Sequence, residues 1–391
     1  MTASMRSELT AEERDWRDRC RRFAQDHMQP AVRTCDVENR FPSEVHAAAH
    51  DHGLTNVCIP SDLGGQGKSQ RMIAIGGEEL ASVCAPMAFT LGFNHGALQP
   101  VLRAGTSEQK QVFVRNLLRD RKYASLCMTE PDTSGSTLLS MQTKARNSDS
   151  GWVINGRKCM IGVGTEASVF FVFAETETNG TQRGISVFAV PRGPGVEVGE
   201  NTDKIGFRCV PTPSITFTDV HVPEEHLIGT IGTGDLILLQ CLDYMRFGGV
   251  SVILGLTVGG LRDIVPVLEQ RQVSLGEKLS QKSNIQMALG SYYSEVQSVR
   301  LLLWRAAKLI DDGLPYGSET AMAKFRASEL AIAATQDFVR FMGWRGLDAD
   351  YPAQKRLRDA MATSIFEGSN DVLKLKAYRD LCRQIHSGEG L

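Results

Sequence analysis

Charge imbalance, long apolar runs and paired cysteines are all missing from this 391-residue chain. Each absence excludes something. Lys and Arg total 43 against 45 Asp and Glu, for a net charge of −2. Such a balance gives no reason to expect nucleic acid or a membrane surface as partner. The longest apolar stretches, such as residues 250–256, fall far short of the ~20 residues needed to span a bilayer. Residues 1–8 have no apolar segment of the kind a secretory signal carries. The nine cysteines, at 20, 35, 58, 84, 127, 159, 209, 241 and 382, contain no CxxC pair. An odd number cannot complete a disulfide framework. Reduced, mostly buried thiols in a cytoplasmic protein are expected, with no metal site.

The rest is ordinary globular material: 42% hydrophobic and 23% charged residues can bury a sizeable core in two or three domains. There is no internal repeat and no low-complexity segment. Residues 8 to about 123 read as helical. Thr10, with Glu13 three residues on, forms a capping-box signature. Pro30, Pro42 and Gly64-Gly65-Gln66-Gly67 punctuate later helices, and Gly76-Gly77-Glu78-Glu79-Leu80 falls within another. Near Tyr123 the texture changes. Residues 169–173, 185–190 and 215–222 are dense in β-formers, separated by turn clusters such as Asn155-Gly156 and Arg192-Gly193-Pro194-Gly195. That spacing predicts a small antiparallel barrel or sandwich. Helical periodicity returns over residues 236–268, 285–310 and 321–342 and predicts a bundle. The expected fold is α+β in three parts: a helical domain over 1–123, a β-barrel or sandwich over 124–232, and a four-helix bundle over 233–391.

One local irregularity carries chemistry. Residues 355–365 are good helix formers, with Leu357, Ala360, Met361, Ser364 and Ile365 at helical spacing. Gly368 is expected to end that helix, and Ser369, Asn370 or Asp371 to cap the next. Glu367 then falls in a last helical turn, where the macrodipole disfavours ionisation. A carboxylate of raised pKa at a helix break is a candidate general base. An ordinary exposed Glu before a C-cap glycine gives the same local pattern.

Several motifs combine in order along the chain. They begin with Cys127-Met128-Thr129-Glu130-Pro131, Gly135-Ser136 and Trp152-Val153-Ile154-Asn155-Gly156-Arg157-Lys158. Lys204-Ile205-Gly206-Phe207-Arg208, Val220-His221-Val222-Pro223 and Asp243 with Arg246 follow. Asp350-Tyr351-Pro352, Arg358-Asp359-Ala360 and Ile365-Phe366-Glu367-Gly368 complete the set. Each alone is weak, since Asn-Gly between strands is only a hairpin turn. Together they resemble the acyl-CoA dehydrogenase family of flavoproteins over nearly the whole chain.

The resemblance implies tightly bound FAD and an acyl thioester substrate, carried on CoA or a carrier protein. It also implies an electron acceptor, either a flavoprotein or O2, and a homodimer or homotetramer. In the chemistry it implies, a base removes the pro-R proton from Cα and hydride leaves Cβ for flavin N5. Hydrogen bonds from the glutamate's backbone N–H and a flavin ribityl hydroxyl stabilise the developing enolate. Glu367 matches that glutamate. The family's other position for the base falls at Met245, which cannot serve. Met128 and Thr129, with Ile161 and Gly162, match residues around the isoalloxazine. Ser136 would lie near the pyrophosphate or the thioester, and Gly343 in a glycine loop at the diphosphate. Arg271 would reach the FAD of a neighbouring subunit, and Ser369 and Asp371 the ADP half. Asp243, Arg246 and Gly368 join Ser136 as substrate-side residues, with Asp243 and Arg246 also reading as a buried ion pair.

Departures from the family pattern gather around the flavin. A Trp-Ile-Thr run becomes Met160-Ile161-Gly162, losing a ring over the flavin and a hydroxyl toward N5. The loop from Thr129 to Ser136 is one residue longer. Arg-x-x-Phe-Gly becomes a longer run from Arg271 to Gly276, and the second glycine of a Gly-Gly pair becomes Trp344. Three readings remain open: a dehydrogenase with an unusual substrate, a flavin monooxygenase or oxidase on the same scaffold in secondary metabolism, and a non-enzymatic binding subunit.

Overall fold

The computed structural model describes residues 9–133, 141–178, 180–274 and 276–387. The first third is helical: α1 Ala11–Phe23, α2 Val32–Glu38, α3 Ser43–Asp51, α4 Gln70–Leu91, α5 Phe93–Ala97, α6 Gln99–Ala104, α7 Ser107–Lys110 and α8 Asn116–Arg119. The capping box at Thr10 is present, with each residue's side chain accepting the other's N–H at 3.2 and 2.8 Å. It starts a helix that buries Trp16, Cys20 and Phe23. α4 breaks at Cys84 (φ −150°, ψ 105°), two residues before Pro86.

The middle third forms strands β1 Tyr123–Cys127, β2 Lys144–Ser148, β3 Gly151–Lys158, β4 Ala167–Thr178, β5 Thr181–Pro191, β6 Val196–Val198, β7 Ile215–Val222 and β8 Leu227–Ile228. The order is β6-β7-β3-β2-β4-β5-β8, with β1 also on β4. The sheet is mixed rather than antiparallel: β1 and β2 both run parallel to β4. β4 reads as an unbroken apolar run because both its faces are covered. Phe171 and Phe173 pack toward Phe113 and Leu117 of the helical region, while Phe170 and Val172 meet Trp152 and Phe217. Trp152 on β3 and Phe188 on β5 have ring centroids 5.3 Å apart. Three strand spacings in a flat sheet would separate them by about 14 Å, so the sheet coils onto itself in the manner of a barrel. Asn155-Gly156 is not a turn between strands. It lies inside β3 at a bulge, with Gly156 at φ 153° packed against Thr143 where a Cβ would stand 2.5 Å from Oγ1.

The last third holds α9 Gly234–Gln270, a small hairpin of β9 Gln272–Ser274 and β10 Glu277–Lys278, α10 Ser283–Asp311, α11 Gly317–Met342, α12 Trp344–Leu347, α13 Ala353–Thr363 and α14 Asn370–Ser387. α11 packs on α9, α10, α13 and α14. α4 and α9 are each long and apolar enough to cross a membrane by length and composition, yet most of each apolar window is buried inside the molecule. They lie against one another. Glycines permit the approach: a Cβ on Gly77 would stand 2.1 Å from Ser251 Oγ, and one on Gly255 2.4 Å from the Glu78 carbonyl. The helices of the first and last thirds therefore share one core.

Candidate active site

Glu367 lies in the turn between α13 and α14. α13 ends at Thr363, four residues before Glu367, and Ser364 to Glu367 form turns. Glu367 is left-handed at φ 56° and Gly368 follows at φ 98°. A non-glycine residue in that region costs about 1 kcal/mol or more and persists only when its surroundings enforce it. Two cations do so here. Arg246 on α9 donates from Nε to the Glu367 carbonyl at 2.9 Å, and Lys324 on α11 donates from Nζ to the Gly368 carbonyl at 2.8 Å. Arg246 is itself held by Asp243, Nη1 to Oδ1 at 2.5 Å.

The carboxyl end of Glu367 turns toward α9. A Cβ on Gly249 would sit 2.0 Å from its Oε2, so only glycine leaves room there. Oε2 is buried and has no hydrogen-bond partner. Burial pushes the carboxyl up to about 8, against the opposing pull of Lys324 and Arg246. The expected cause, the negative end of a helix dipole, is wrong. The helix stops too early, and desolvation raises the pKa instead.

Glu367 opens into a cleft of about 770 Å³, its mouth included. Its lining includes Trp16, Met72, Gly76, Phe89, Phe93, Met245 and Gly248. Among the described residues, Glu367 is the sole carboxylate in this lining. His95 is the histidine in this lining. Burial pushes it down to about 4, leaving the ring neutral. Its Nε2 accepts the Cys58 N–H at 3.3 Å, so Nδ1 donates to the Gly92 carbonyl at 3.2 Å. The β domain reaches this cleft through Gly162, whose Cβ would meet the Phe93 ring at 2.7 Å. Gly162 and Met128 share one edge of the sheet: the Gly162 carbonyl accepts from Ser125 on β1, and Lys158 on β3 donates to the Met128 carbonyl at 3.1 Å. Cys159 donates to the Thr129 carbonyl at 2.9 Å.

Family models for the acyl-CoA dehydrogenase N-terminal, middle and C-terminal domains match residues 10–121, 125–220 and 232–390. The short-chain specific acyl-CoA dehydrogenase of Rattus norvegicus is 34% identical over 95% of this chain and 90% of its own. The chain belongs to the acyl-CoA dehydrogenase family. A short-chain specific acyl-CoA dehydrogenase of Clostridium acetobutylicum is 31% identical over 94% of this chain and 97% of its own. Butyryl-CoA dehydrogenase from Megasphaera elsdenii superposes with a TM-score of 0.90 at 30% identity, covering 96% of this chain and 99% of that one.

Within this acyl-CoA dehydrogenase fold, the expected residues fall into two groups. Met128, Thr129 and Gly162 lie together on the β domain, with Gly162 against Phe93 of the cleft, while Ile161 is buried in the β-domain core. Asp243, Arg246, Gly368, Ser369 and Asp371 surround the Glu367 turn, with Ser369 accepting the Leu373 N–H at the start of α14. Arg271 and Gly343 are elsewhere. Arg271 Nη1 donates to the Met342 carbonyl at 2.7 Å, beside Gly343. At 1.5 Å per residue, the end of α9 at Gln270 lies about 36 Å from Arg246. Ser136 lies outside the described residues. Met245 lines the cleft against Gly96, in reach of the substrate space but without an ionisable group.

Two positions beside Glu367 escaped the sequence reading. Lys324 is a lone cation on a face otherwise made of Thr320, Ala321, Ala327, Ser328 and Ala331. Gly249 belongs to a glycine pair in the middle of an apolar helix, where each glycine costs about 1 kcal/mol relative to Ala. A stranded charge and a costly glycine pair were the available signals.

Proposed function

We propose that this chain is an FAD-dependent oxidoreductase that removes an α-proton from an acyl thioester through Glu367. The observation that carries the reading is a buried, unpartnered carboxyl oxygen facing an apolar cleft. An acyl chain suits that cleft because no other carboxylate lines it, and the turn holds Glu367 without occupying its Oε2. The β-domain surface at Met128, Thr129 and Gly162 would hold the isoalloxazine beside the cleft, and Ser369 and Asp371 would meet the ADP half. The orphaned Oε2 fits a reacting group held at that place. Bound FAD would accept the hydride from Cβ. Because the site requires the ionised carboxylate, the pH profile of kcat/KM should rise through about 8 in the substrate-free enzyme.

Arg271 and Gly343 are too distant to serve the same cleft, so we assign them to the flavin of a second copy in a homodimer or homotetramer. Sedimentation of the FAD-loaded protein tests that assignment, and a monomer that retains FAD would remove it. An electron-transferring flavoprotein is the proposed acceptor, and CoA or a carrier protein the proposed thioester carrier. A flavin monooxygenase or oxidase is the second reading, favoured by one observation: Met160 is 49% exposed.

One set of experiments separates these. The purified protein should bind FAD, and butyryl-CoA should bleach the flavin without oxygen. Label from O2 in the product would instead establish the second reading. A colourless protein that cannot be reconstituted removes both. Gly249→Ala offers a finer check. Its Cβ would displace the Glu367 carboxyl, and a misplacement of this size lowers kcat roughly 100-fold. FAD content should stay unchanged, because Gly249 lies on the Glu367 side of the cleft. Unaltered kcat in Gly249→Ala would show that the Glu367 position observed here is not the reactive one.

A further inference from the structure

Lys324 is among the largest fully buried side chains in the protein, 0% exposed. Its ammonium donates to the Gly368 carbonyl at 2.8 Å and to Asn370 Oδ1 at 3.1 Å, and lies 5.9 Å from the Phe366 ring centre. Among the described residues, no carboxylate pairs with it directly. A buried ammonium without a paired anion is costly, and proteins retain one only where something offsets the cost. The charges that act on Lys324 are those of Glu367 and Arg246. Glu367 in turn feels Lys324 and Arg246. Arg246 is already paired with Asp243, whose carboxylate also feels Arg103, Lys376 and Asp380. Across the cleft stand neutral His95 and Tyr244. Among the described residues, Lys324 is therefore the one cation near Glu367 whose charge is not offset by a partner of its own.

We propose that Lys324 is a positioning residue for the reaction: it fixes the left-handed turn through the Gly368 carbonyl and sets a positive charge opposite the Glu367 carboxylate. The inference rests on the reading of Glu367 as the base. When Glu367 is ionised, the ammonium and the carboxylate share the buried site as separated opposite charges. When Glu367 takes the proton from Cα it becomes neutral, and the ammonium keeps its two hydrogen bonds to Gly368 and Asn370. The turn does not collapse as the charge disappears. Burial pushes Lys324 down to about 8, so it remains mostly charged at neutral pH.

The test uses Lys324→Met, which keeps the length and apolar stem but removes the charge and both hydrogen bonds, beside Lys324→Arg, which keeps the charge. Two readouts are taken on the full-length protein. One is the infrared carboxylic C=O band that disappears in Glu367→Gln, followed against pH without substrate. The other is kcat/KM against pH in the FAD-loaded enzyme. In Lys324→Met the band's midpoint and the acidic limb should both move up by about one pH unit or more. A one-unit shift means about tenfold lower activity at pH 7, with the deficit narrowing as pH rises. Lys324→Arg should restore the limb. A loss that is uniform at all pH, with an unmoved band, would reduce Lys324 to a structural role and overturn the proposal. Should Lys324→Met fail to fold, Asn370→Asp places a carboxylate on the ammonium and must shift the band in the same direction. An unmoved band there overturns the proposal equally. A band that shifts in a protein turning over no acyl thioester would sink the functional reading but leave the Lys324–Glu367 coupling standing.

Discussion

Glu367→Gln should bind FAD as tightly as the unaltered chain and lose turnover by about 10²- to 10⁴-fold, the range a positioned general base supplies. The amide keeps the shape that Gly249 accommodates, and the two backbone clamps from Arg246 and Lys324 do not involve the side chain. Only the proton-accepting oxygen is lost. Single-turnover bleaching of the flavin by an acyl thioester measures the step directly. Full bleaching at the original rate would move the base elsewhere, and no other carboxylate lines the cleft to receive it. Stability supplies an independent readout. The folded pKa of Glu367 lies above its unfolded value because burial penalises the charged form. For an acid raised in this way, the stabilisation is fully present below the unfolded pKa and is lost as pH rises through about 8. Glu367→Gln cannot ionise, so it should out-melt the parent at pH 9 and match it near pH 5. Equal melting curves at both pH values would mean that the carboxyl is well solvated.

Lys158→Met should be the most destabilising single change in the β domain. Lys158 is 0% exposed and pairs with Glu130, 2% exposed, at 2.9 Å. Glu130 also accepts the Gln142 and Thr143 N–H groups at 2.6 and 2.8 Å. Burial alone would push Glu130 up. The hydrogen bonds from Thr143 and Gln142 and the Lys158 charge win, and the carboxyl lies at about 2. Breaking a buried pair by removing one partner costs about 3–5 kcal/mol, because the survivor is left as an uncompensated charge. Lys158→Met should therefore lower the urea midpoint markedly at pH 7. For Glu130 the depressed folded pKa contributes stability above the unfolded value, lost as pH falls toward 2. The gap between variant and parent should thus shrink on acidification, since a protonated Glu130 no longer needs the lysine. A midpoint unchanged at pH 7 would remove the pair from any part in stability. FAD affinity should fall with stability, because Lys158 also holds the Met128 carbonyl.

Legibility in the sequence follows the range of the interaction. The capping box at Thr10 and Glu13 is local, and it stands as read. The helical, β, helical succession rests on periodicities within single elements, and it stands too. Asn155-Gly156 misleads because the same dipeptide serves a hairpin or a bulge. Thr143, brought alongside by strand pairing, selects the bulge. The parallel pairing of β1 and β2 with β4 joins segments that no local pattern connects. The helix before Glu367 ends at Thr363, where Ser328 on α11 donates to the Thr363 carbonyl at 2.9 Å. That partner lies outside any window used to read caps.

By itself the sequence determined the order of the three structural regions, the family, and which carboxylate stands at the critical turn. Those depend on residue identity and on short-range periodicity. Only the tertiary structure decided what that carboxylate is. It ended the helix early, placed Glu367 left-handed between Arg246 and Lys324, and used Gly249 to seat its carboxyl in an apolar cleft. Desolvation and charge act through space, so the ionisation of Glu367 is set by Lys324 and Arg246, which lie more than 40 residues away in the chain.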